Sequence, residues 1–282
     1  MSPDDIAVGT PGSVYIHGTA PEEQSRLTAM NRMINGRCLA ALRLRPGESV
    51  LDVGSGLGQM TREMARVTGR RVIGIEASPA QREEAIRQAT ADGESDLVEF
   101  REGDAMNPPL RQEEWGAFDV THTRFLLEHV TDPGAVVAAM LRATRPGGRL
   151  LLLDDIHSLL RLWPTVPGLS EVWLAYQRSY DRIGCDAAIG ERLVEILHRA
   201  GAQPVRNELV FFGSCSGDPF FPTIVENLAV ILEGARTNIV DAGYIPAADV
   251  DRVAAELRRW GRRPDAAFWY AMGMAEGRRP SS

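Results

Sequence analysis

The sequence predicts an α/β fold in which short buried strands alternate with helices around one sheet. Two features support this prediction. The first is an apolar run, 49–53, that stops at a cluster of glycines and is followed at once by a helical pattern. The second is a set of further apolar runs, 71–76 and 149–153 among them, separated by segments with helical periodicity. Such alternation is typical of a doubly wound sheet with mostly parallel strands.

The first strand ends in a turn with Gly54, Gly56 and Gly58 at alternate positions. Glycine adopts positive φ easily and lets a ligand approach the backbone, and the free N–H groups of the following helix point to the same place. The turn therefore predicts a nucleotide-binding site. It departs from the dinucleotide fingerprint, because Gln59 stands where that fingerprint has its third glycine.

The second strand, 71–76, ends in an acidic residue, and its distance from the glycine turn is typical of nucleoside-binding sites. Glu76 lies 20 residues after Gly56. A carboxylate about that far along the chain hydrogen-bonds the ribose hydroxyls of a bound nucleoside. Enzymes with different nucleoside cofactors share this device, so Glu76 supports a nucleotide site without choosing the cofactor.

Further motifs indicate a family. Asp52 lies two residues before the first glycine, Gly103-Asp104-Ala105 follows the third strand, 118–130 holds the fourth strand and a short helix, and Pro146-Gly147-Gly148 precedes the fifth strand. In this order, across about residues 50–154, the motifs resemble those of the class I S-adenosylmethionine-dependent methyltransferases. The pattern is most similar to the small-molecule branch, which includes ubiquinone and menaquinone biosynthesis enzymes and natural-product methyltransferases.

The resemblance implies S-adenosylmethionine as the cofactor and a Rossmann-like sheet of seven strands whose last strand, 266–275, is antiparallel. It also implies that Asp104 accepts a hydrogen bond from the adenine amino group and that the backbone near Thr123 holds the methionine end. The cofactor-binding residues expected in this way are Asp52, Gly54, Ser55, Gly56, Gly58, Glu76, Ala77, Asp104, Ala105, Met106, Thr123 and Arg124.

The chain divides into four predicted parts. Residues 1–44 form an N-terminal helical lid, and residues 45–155 form the cofactor-binding core. Residues 156–186 are an insertion rich in Trp, Tyr and Pro, which is expected to wall a substrate pocket. Residues 187–282 complete the sheet, with a helix over 187–200, a strand over 203–212 and a helical cap over 219–262 that is split near 243–246.

The lid is predicted to contain a helix over 21–43. Apolar residues recur there at steps of three or four along one face: Leu27, Met30, Ile34, Cys38 and Leu42. In the family that the sequence resembles, such helices often cover the cofactor. Tyr15 and His17, just ahead of this helix, are therefore candidate substrate contacts.

Candidate catalytic residues follow the predicted strand ends, because ligands bind outside the carboxyl ends of the strands in open α/β sheets. Asp155 and His157 follow the fifth strand beside the aromatic insertion, and we expect them to take part in proton transfer. His122 near the fourth strand and Trp163 in the insertion are expected to contact the substrate.

Other polar residues nearby allow structural interpretations as well. Arg124 is a candidate cofactor contact, but it also stands four residues before Glu128 and is expected to pair with it if both lie on one helical turn. His129 is expected to pack or to cap a helix. Tyr176 and Tyr180 are four apart and share a helix face, which fits a substrate pocket and a buried core equally well.

Composition narrows the partners. The formal net charge of −7 argues against a nucleic-acid partner. No apolar run reaches the roughly 18 residues that cross a bilayer, and the acidic N-terminus lacks a signal-peptide pattern, so a cytoplasmic protein without membrane contact is expected. All 31 basic residues are arginine, which excludes lysine Schiff-base chemistry and a Walker A loop.

The cysteines do not predict a metal site. Cys38, Cys185 and Cys215 have no metal-ligand spacing, and no metal is predicted.

The leading functional hypothesis is a methyltransferase acting on a small apolar or aromatic molecule. O-methylation is favoured over C- or N-methylation. Two alternatives stay open, namely a nicotinamide-dependent oxidoreductase and a protein that binds S-adenosylmethionine without catalysis. A homodimer formed through the cap helices is also expected from the habit of the family.

Overall fold

The computed structural model describes residues 34–281. The helices are α1 (34–42), α2 (Gln59–Thr68), α3 (Pro79–Ala91), α4 (Pro133–Ala143), α5 (Leu169–Ser179), α6 (Leu193–Arg199), α7 (Phe221–Gly234), α8 (Arg236–Asp241) and α9 (Ala247–Trp260). The strands are β1 (Val50–Val53), β2 (Val72–Glu76), β3 (Val98–Glu102), β4 (Phe118–Arg124), β5 (Thr144–Asp155), β6 (Arg161–Trp163), β7 (Gln203–Cys215) and β8 (Ala267–Arg278). The predictions for Tyr15, His17 and the part of the first helix before residue 34 lie outside the described residues.

The strands form one twisted sheet in the order β3-β2-β1-β4-β5-β8, and β6 and β7 also pair with β8. The first five strands are parallel to one another. The last strand, β8, is antiparallel and lies between β5 and β7. This topology confirms the predicted Rossmann-like sheet and its antiparallel last strand.

The sheet has eight strands, where the sequence predicted seven. The additional strand is β6, three residues long, inside the aromatic insertion. Strand β8 begins at residue 267, but its pairing with β5 begins only at Met272. Residues 267–269 therefore have backbone groups that β5 does not reach, and β6 pairs with them. Backbone groups in such a place need partners, and a short strand supplies them.

Helices cover both faces of the sheet. Apolar residues of α1, α2 and α3 pack on one face, and residues of α4 and α6 pack on the other. Ile34, Cys38 and Leu42, which were predicted to share one helix face, are all fully buried in the first of these clusters. The periodicity of α1 was therefore a correct guide to its packing.

The insertion and the cap form a third apolar cluster. Helix α5 of the insertion packs with α7, α8 and α9, which lie between β7 and β8. The cluster continues onto the sheet through Phe268. None of the helices within residues 34–281 is long and apolar enough to cross a membrane.

One predicted helix is shorter than expected. Helix α6 begins at Leu193 instead of residue 187, and Ile189–Glu191 forms a separate 3-10 turn. In this turn Gly190 lies against the backbone of β5, so that a Cβ atom there would be 2.1 Å from the carbonyl oxygen of Asp155. This close approach requires a glycine and directs the chain against the sheet before α6 can begin.

Arginine side chains fix the amino edge of the sheet, where the parallel strands begin. Arg149 donates to the carbonyl oxygen of Leu42 at the end of α1 and to both carboxylate oxygens of Glu48. Arg206 donates to Glu276 at 2.8 and 3.0 Å and to the carbonyl oxygen of Ala41. These contacts satisfy the carbonyl groups at the helix end, which have no partner within the helix.

Candidate active site

The glycine-rich turn has the backbone conformation that its sequence predicted. Gly54, Gly56 and Gly58 have φ values of 76°, 54° and 70°. At Gly58 a side chain is excluded for a second reason, because a Cβ atom would lie 2.3 Å from the ring of Phe100. The turn places backbone N–H groups at the carboxyl end of β1, and the buried hydroxyl of Ser55 has no hydrogen-bond partner among the described residues. These features fit a nucleoside cofactor.

Asp52 and His122 lie behind this turn and are bonded to each other. Nδ1 of His122 lies 2.8 Å from one carboxylate oxygen of Asp52, and the Thr61 hydroxyl donates to the other oxygen at 2.6 Å. Asp52 and His122 are almost fully buried. The contact joins β1, β4 and α2 beneath the turn, and both carboxylate oxygens of Asp52 are already engaged in it.

Glu76 is held at the end of β2 by two backbone groups. The N–H of Gly56 and the N–H of Ser78 each donate to one of its carboxylate oxygens at 2.8 Å. A carboxylate has about four acceptor positions, so two remain for the ribose hydroxyls. Burial raises the pKa of Glu76, and the backbone hydrogen bonds partly oppose that rise.

The other predicted cofactor residues lie at neighbouring strand ends. Asp104 follows β3 and accepts a hydrogen bond from the N–H of Met106 at 2.9 Å. The Thr123 hydroxyl donates to the carbonyl oxygen of Val53, which joins β4 to β1. Ala77 and Ala105 directly follow Glu76 and Asp104. The contacts of all these residues with a cofactor stay predictions.

Arg124 does not pair with Glu128, as one interpretation of the sequence expected. Its guanidinium donates to the side-chain oxygen of Asn35 on α1 at 2.9 Å and lies over the ring of Phe125. The side chain of Glu128 is buried and contacts His157, not Arg124. The expected pair fails because residues 127–129 form a separate 3-10 turn, so Arg124 and Glu128 do not share a helix.

A buried polar cluster lies where β4 and β5 end. Nε2 of His157 lies 2.8 Å from a carboxylate oxygen of Glu128, and Nδ1 of His157 lies 2.9 Å from the hydroxyl of Tyr270 on β8. Asp155 lies beside them, and its Oδ1 is buried without a hydrogen-bond partner among the described residues. The structure thus brings together the two predicted proton-transfer residues, Asp155 and His157. We call Glu128, Asp155 and His157 the carboxyl-edge cluster.

Aromatic side chains surround this cluster. The ring of His157 lies 5.6 Å from the rings of both Trp173 and Tyr176 on α5. The hydroxyls of Tyr176 and Tyr180 are 2.8 Å apart, and both side chains are buried. Tyr176 and Tyr180 are therefore part of the apolar cluster of the cap and also border the carboxyl-edge cluster. Trp163, in contrast, is 65% exposed on β6.

Burial changes the protonation of the carboxyl-edge cluster. It raises the pKa of Glu128 to about 8, although a hydrogen bond from Tyr180 opposes the rise. Burial and the neighbouring Glu128 carboxyl raise the pKa of Asp155 well above its usual range. Burial also lowers the pKa of His157. Groups with shifted pKa values that face one another in this way are common at catalytic sites.

Sequence reasoning missed Glu128 and Tyr270 as members of this site. Glu128 follows the end of a predicted strand, and this position could have identified it as a site residue. It was instead interpreted as an ion-pair partner of Arg124. Tyr270 lies 113 residues after His157 in a run that reads as an ordinary buried strand. His129, expected to pack, is buried and stacks on Tyr180.

Known proteins resemble this chain in sequence. A family model described as a methyltransferase domain matches residues 51–152. An uncharacterised 37.1 kDa protein of transposon Tn4556 from Streptomyces fradiae is 36% identical over 248 residues, which cover 84% of this chain and 66% of that protein. The 27-O-demethylrifamycin SV methyltransferase of Amycolatopsis mediterranei is 34% identical over 138 residues, covering 49% of this chain and 50% of that enzyme. The chain thus spans less than two thirds of each of these two relatives.

A solved structure supports the fold. Geranyl diphosphate C-methyltransferase from Streptomyces coelicolor, determined with S-adenosyl-L-homocysteine bound, has a TM-score of 0.54 and 14% identity, and the match covers 99% of this chain and 93% of that one. The domain match, the glycine turn with Glu76, and the sheet order agree with one another. Residues 51–152 thus match a methyltransferase domain, and the whole of this agreement supports a class I S-adenosylmethionine-dependent methyltransferase.

Proposed function

We propose that this protein transfers the methyl group of S-adenosylmethionine to a hydroxyl oxygen of a small apolar or aromatic molecule. Methylation of carbon or nitrogen is the next candidate. The observation that carries the proposal is the contact of 2.8 Å between His157 and Glu128, which supports a proton acceptor at the sheet edge where the cofactor turn also lies.

The cofactor half of the site rests on the turn at Gly54–Gly58 and on Glu76. The sulfonium of the cofactor supplies an activated methyl group, so the protein mainly holds the acceptor in line and excludes water. Glu76 keeps two acceptor positions for ribose hydroxyls while two N–H groups fix its orientation. The domain match over residues 51–152 includes all of these residues.

The acceptor half rests on the carboxyl-edge cluster. In the neutral tautomer that carries its proton on Nδ1, His157 donates to the Tyr270 hydroxyl and keeps Nε2 as an acceptor. Because burial lowers the pKa of His157, the ring is neutral near pH 7, and its Nε2 accepts a hydrogen bond from the Glu128 carboxyl, which burial keeps protonated. The acceptor hydroxyl would take the place of Glu128 at Nε2 before it gives up its proton. Glu128 lies against the same nitrogen and orients the ring.

The aromatic side chains favour an apolar or aromatic acceptor. Trp173 and Tyr176 lie edge-on or tilted to the His157 ring, and the apolar cluster of α5, α7 and α9 lies behind them. Such walls recognise apolar surface, and a few polar groups then orient the reacting atom. The matched relatives include enzymes named 27-O-demethylrifamycin SV methyltransferase, probable tocopherol O-methyltransferase and norajmaline N-methyltransferase, which supports the same class.

The test is methyl transfer from radiolabelled S-adenosylmethionine to a panel of phenols, hydroxylated polyketides and amines. With an acceptor in hand, His157→Ala and Asp155→Asn should lower kcat by about 10²-fold or more, while the affinity for S-adenosylhomocysteine stays unchanged. The matched control is His198→Ala, because His198 is exposed on α6. It should leave kcat unchanged.

Three results would contradict the proposal. Full activity in both His157→Ala and Asp155→Asn would remove these residues from the chemistry. Tight binding of S-adenosylmethionine without methyl transfer to any acceptor would favour the non-catalytic alternative. Binding of NAD in place of S-adenosylmethionine would favour an oxidoreductase.

A further inference from the structure

The carboxyl-edge cluster combines three different side chains that bind metal ions. One nitrogen or oxygen atom from each of Glu128, Asp155 and His157 can be chosen so that all three lie within 4.8 Å of one another. Two atoms bound to one metal ion at about 2.1 Å are at most about 4.2 Å apart. Side-chain adjustments of less than about 1 Å would therefore bring the three atoms around one ion.

The carboxyl groups of this region face histidines and have no arginine partner: Glu128 lies 2.8 Å from Nε2 of His157 and 3.4 Å from Nε2 of His129. Asp154, Asp155 and Glu128 meet at the ends of β4 and β5, and no arginine within residues 34–281 forms an ion pair with any of them. Asp154 is satisfied by the N–H groups of Leu127 and Asp155. Buried carboxylates without such partners either stay protonated or bind a cation.

Asp155 supplies an independent observation. Its Oδ1 is buried without a hydrogen-bond partner among the described residues, while the Tyr270 hydroxyl is hydrogen-bonded to the same carboxyl group. A buried carboxylate oxygen without a donor is uncommon in a folded protein and needs an explanation. A metal ion between Asp155 and His157 would provide the missing partner.

We propose that Glu128, Asp155 and His157 bind one divalent transition-metal ion. An imidazole together with two carboxylates suits Mn²⁺, Fe²⁺ or Zn²⁺ better than Mg²⁺, which prefers oxygen ligands alone. The ion would take the place of the direct contact between His157 and Glu128. This proposal departs from the sequence prediction of no metal, because that prediction rested on local spacing and the three ligands are brought together only by the fold.

The surroundings of His157 fit a ligand role. The Tyr270 hydroxyl lies 2.9 Å from Nδ1 and fixes the ring, which leaves Nε2 for the metal. Ligating histidines almost always use their second nitrogen in this way. The indole N–H of Trp173 donates to the backbone carbonyl oxygen of His157 at 3.0 Å, so the main chain at this ligand is also fixed.

Binding of the ion does not depend on the proposed methyl transfer, but its role does. If the proposed function holds, the ion would bind the acceptor's oxygen and lower the pKa of its hydroxyl, so that the oxygen attacks as an anion. With its Nε2 on the ion, His157 would act as a ligand instead of the proton acceptor, and the proton would leave to solvent. Binding and methyl transfer can therefore be tested separately.

The first experiment titrates Mn²⁺ into untagged full-length protein that has been treated with EDTA, and measures free Mn²⁺ by electron paramagnetic resonance. One ion should bind, and Zn²⁺ should displace it. Asp155→Asn and His157→Gln should each weaken binding by at least about 10-fold. The matched controls are Asp186→Asn and His198→Gln, whose side chains lie outside the cluster, and they should bind like the wild type. Circular dichroism and S-adenosylhomocysteine binding verify that every variant is folded.

A second readout locates the ion. Co²⁺ should quench the fluorescence of Trp173, because its ring lies 5.6 Å from the His157 ring. Trp173→Phe should lose most of this quenching and keep Mn²⁺ binding. Absence of Mn²⁺ and Zn²⁺ binding by the wild type, or equal binding by the cluster variants, would overturn the proposal.

Methyl-transfer assays then separate the two proposals. Metal binding without methyl transfer to any acceptor would overturn the proposed function and leave the metal site standing. Methyl transfer that EDTA abolishes and Mn²⁺ or Zn²⁺ restores would support both. Methyl transfer by a protein that binds neither ion would overturn the metal site alone.

Discussion

Two groups of buried charges lie at opposite edges of the same sheet and are treated differently by the fold. At the amino edge, Arg149 and Arg206 form ion pairs with Glu48 and Glu276 at distances of 2.8 to 3.0 Å. At the carboxyl edge, the acids of the cluster have histidine, tyrosine and backbone N–H groups as partners, and no arginine within residues 34–281 pairs with them. The chain has 31 arginines, so the absence is not a shortage of cations.

The difference separates a structural arrangement at the amino edge from the proposed functional one at the carboxyl edge. The amino-edge charges are opposite in sign, and their hydrogen bonds also cap α1. The carboxyl-edge acids repel one another, and burial raises the pKa values of Glu128 and Asp155. A protein that keeps such acids loses stability at that place, and this kind of strain is common at functional sites.

The largest expected effect is on the amino edge. Arg149→Met keeps the apolar stem but leaves the carbonyl oxygen of Leu42 without its donor and Glu48 with only the N–H of Arg45, so the free energy of unfolding should fall by about 3 kcal/mol. Urea denaturation measures this change. Arg259→Met, at an exposed pair with Glu256, should change stability by less than about 0.5 kcal/mol. Equal effects of the two substitutions would show that the amino-edge charges are not a stabilising network.

The opposite sign is expected at the carboxyl edge. Glu128→Gln replaces the acid with a neutral group of the same shape, so in EDTA-containing buffer at pH 8 the melting temperature should rise by about 2–4 °C. The folded protein holds the proton of Glu128 up to a pKa of about 8, whereas the unfolded chain releases it near pH 4.3. Wild-type stability therefore falls as the pH rises between these two values, and the advantage of the variant should vanish near pH 4–5.

Thermal melts at pH 5 and pH 8 test this prediction. The control is Glu191→Gln, since Glu191 is exposed and bonds only to Ser158 among the contacts of the described chain. It should show the same small difference at both pH values. Destabilisation of Glu128→Gln at pH 8 would mean that the ionised acid is well stabilised, and the contrast between the two edges would fail.

The amino-acid sequence was sufficient to predict the glycine turn and the position of Glu76, whose contacts with a cofactor stay predictions. The turn at Gly54–Gly58 and the acid at Glu76 are local signals, because each depends on a strand end and on residues next to it. The hydrogen bond from the N–H of Gly56 to Glu76 follows from two strands that are neighbours in the chain and in the sheet. The order of strands followed from the family resemblance.

The acceptor half could be predicted only in part. Asp155 and His157 were found because they follow a strand end, but their partners come from other elements: Glu128 is 29 residues away and Tyr270 is 113 residues away. Hydrophobic periodicity along the chain does not predict contacts between residues so far apart in sequence. Strand β6 was missed for a similar reason, since it forms only because β8 extends beyond β5.

The smallest expected effect concerns the paired hydroxyls of Tyr176 and Tyr180. Tyr176→Phe removes one member of a buried hydrogen bond of 2.8 Å and should lower the free energy of unfolding by about 1 kcal/mol. Because Tyr180 also opposes the pKa rise of Glu128, the change should act on the carboxyl edge mainly by altering protonation, and the pH optimum of methyl transfer should shift more than kcat falls. Tyr244→Phe on the exposed cap surface is the control and should change neither property. If Tyr176→Phe lowered the free energy of unfolding as much as Arg149→Met, the tyrosine pair would be a structural contact. The amino and carboxyl edges of the sheet would then differ in their charged groups, but both would serve mainly to stabilise the fold.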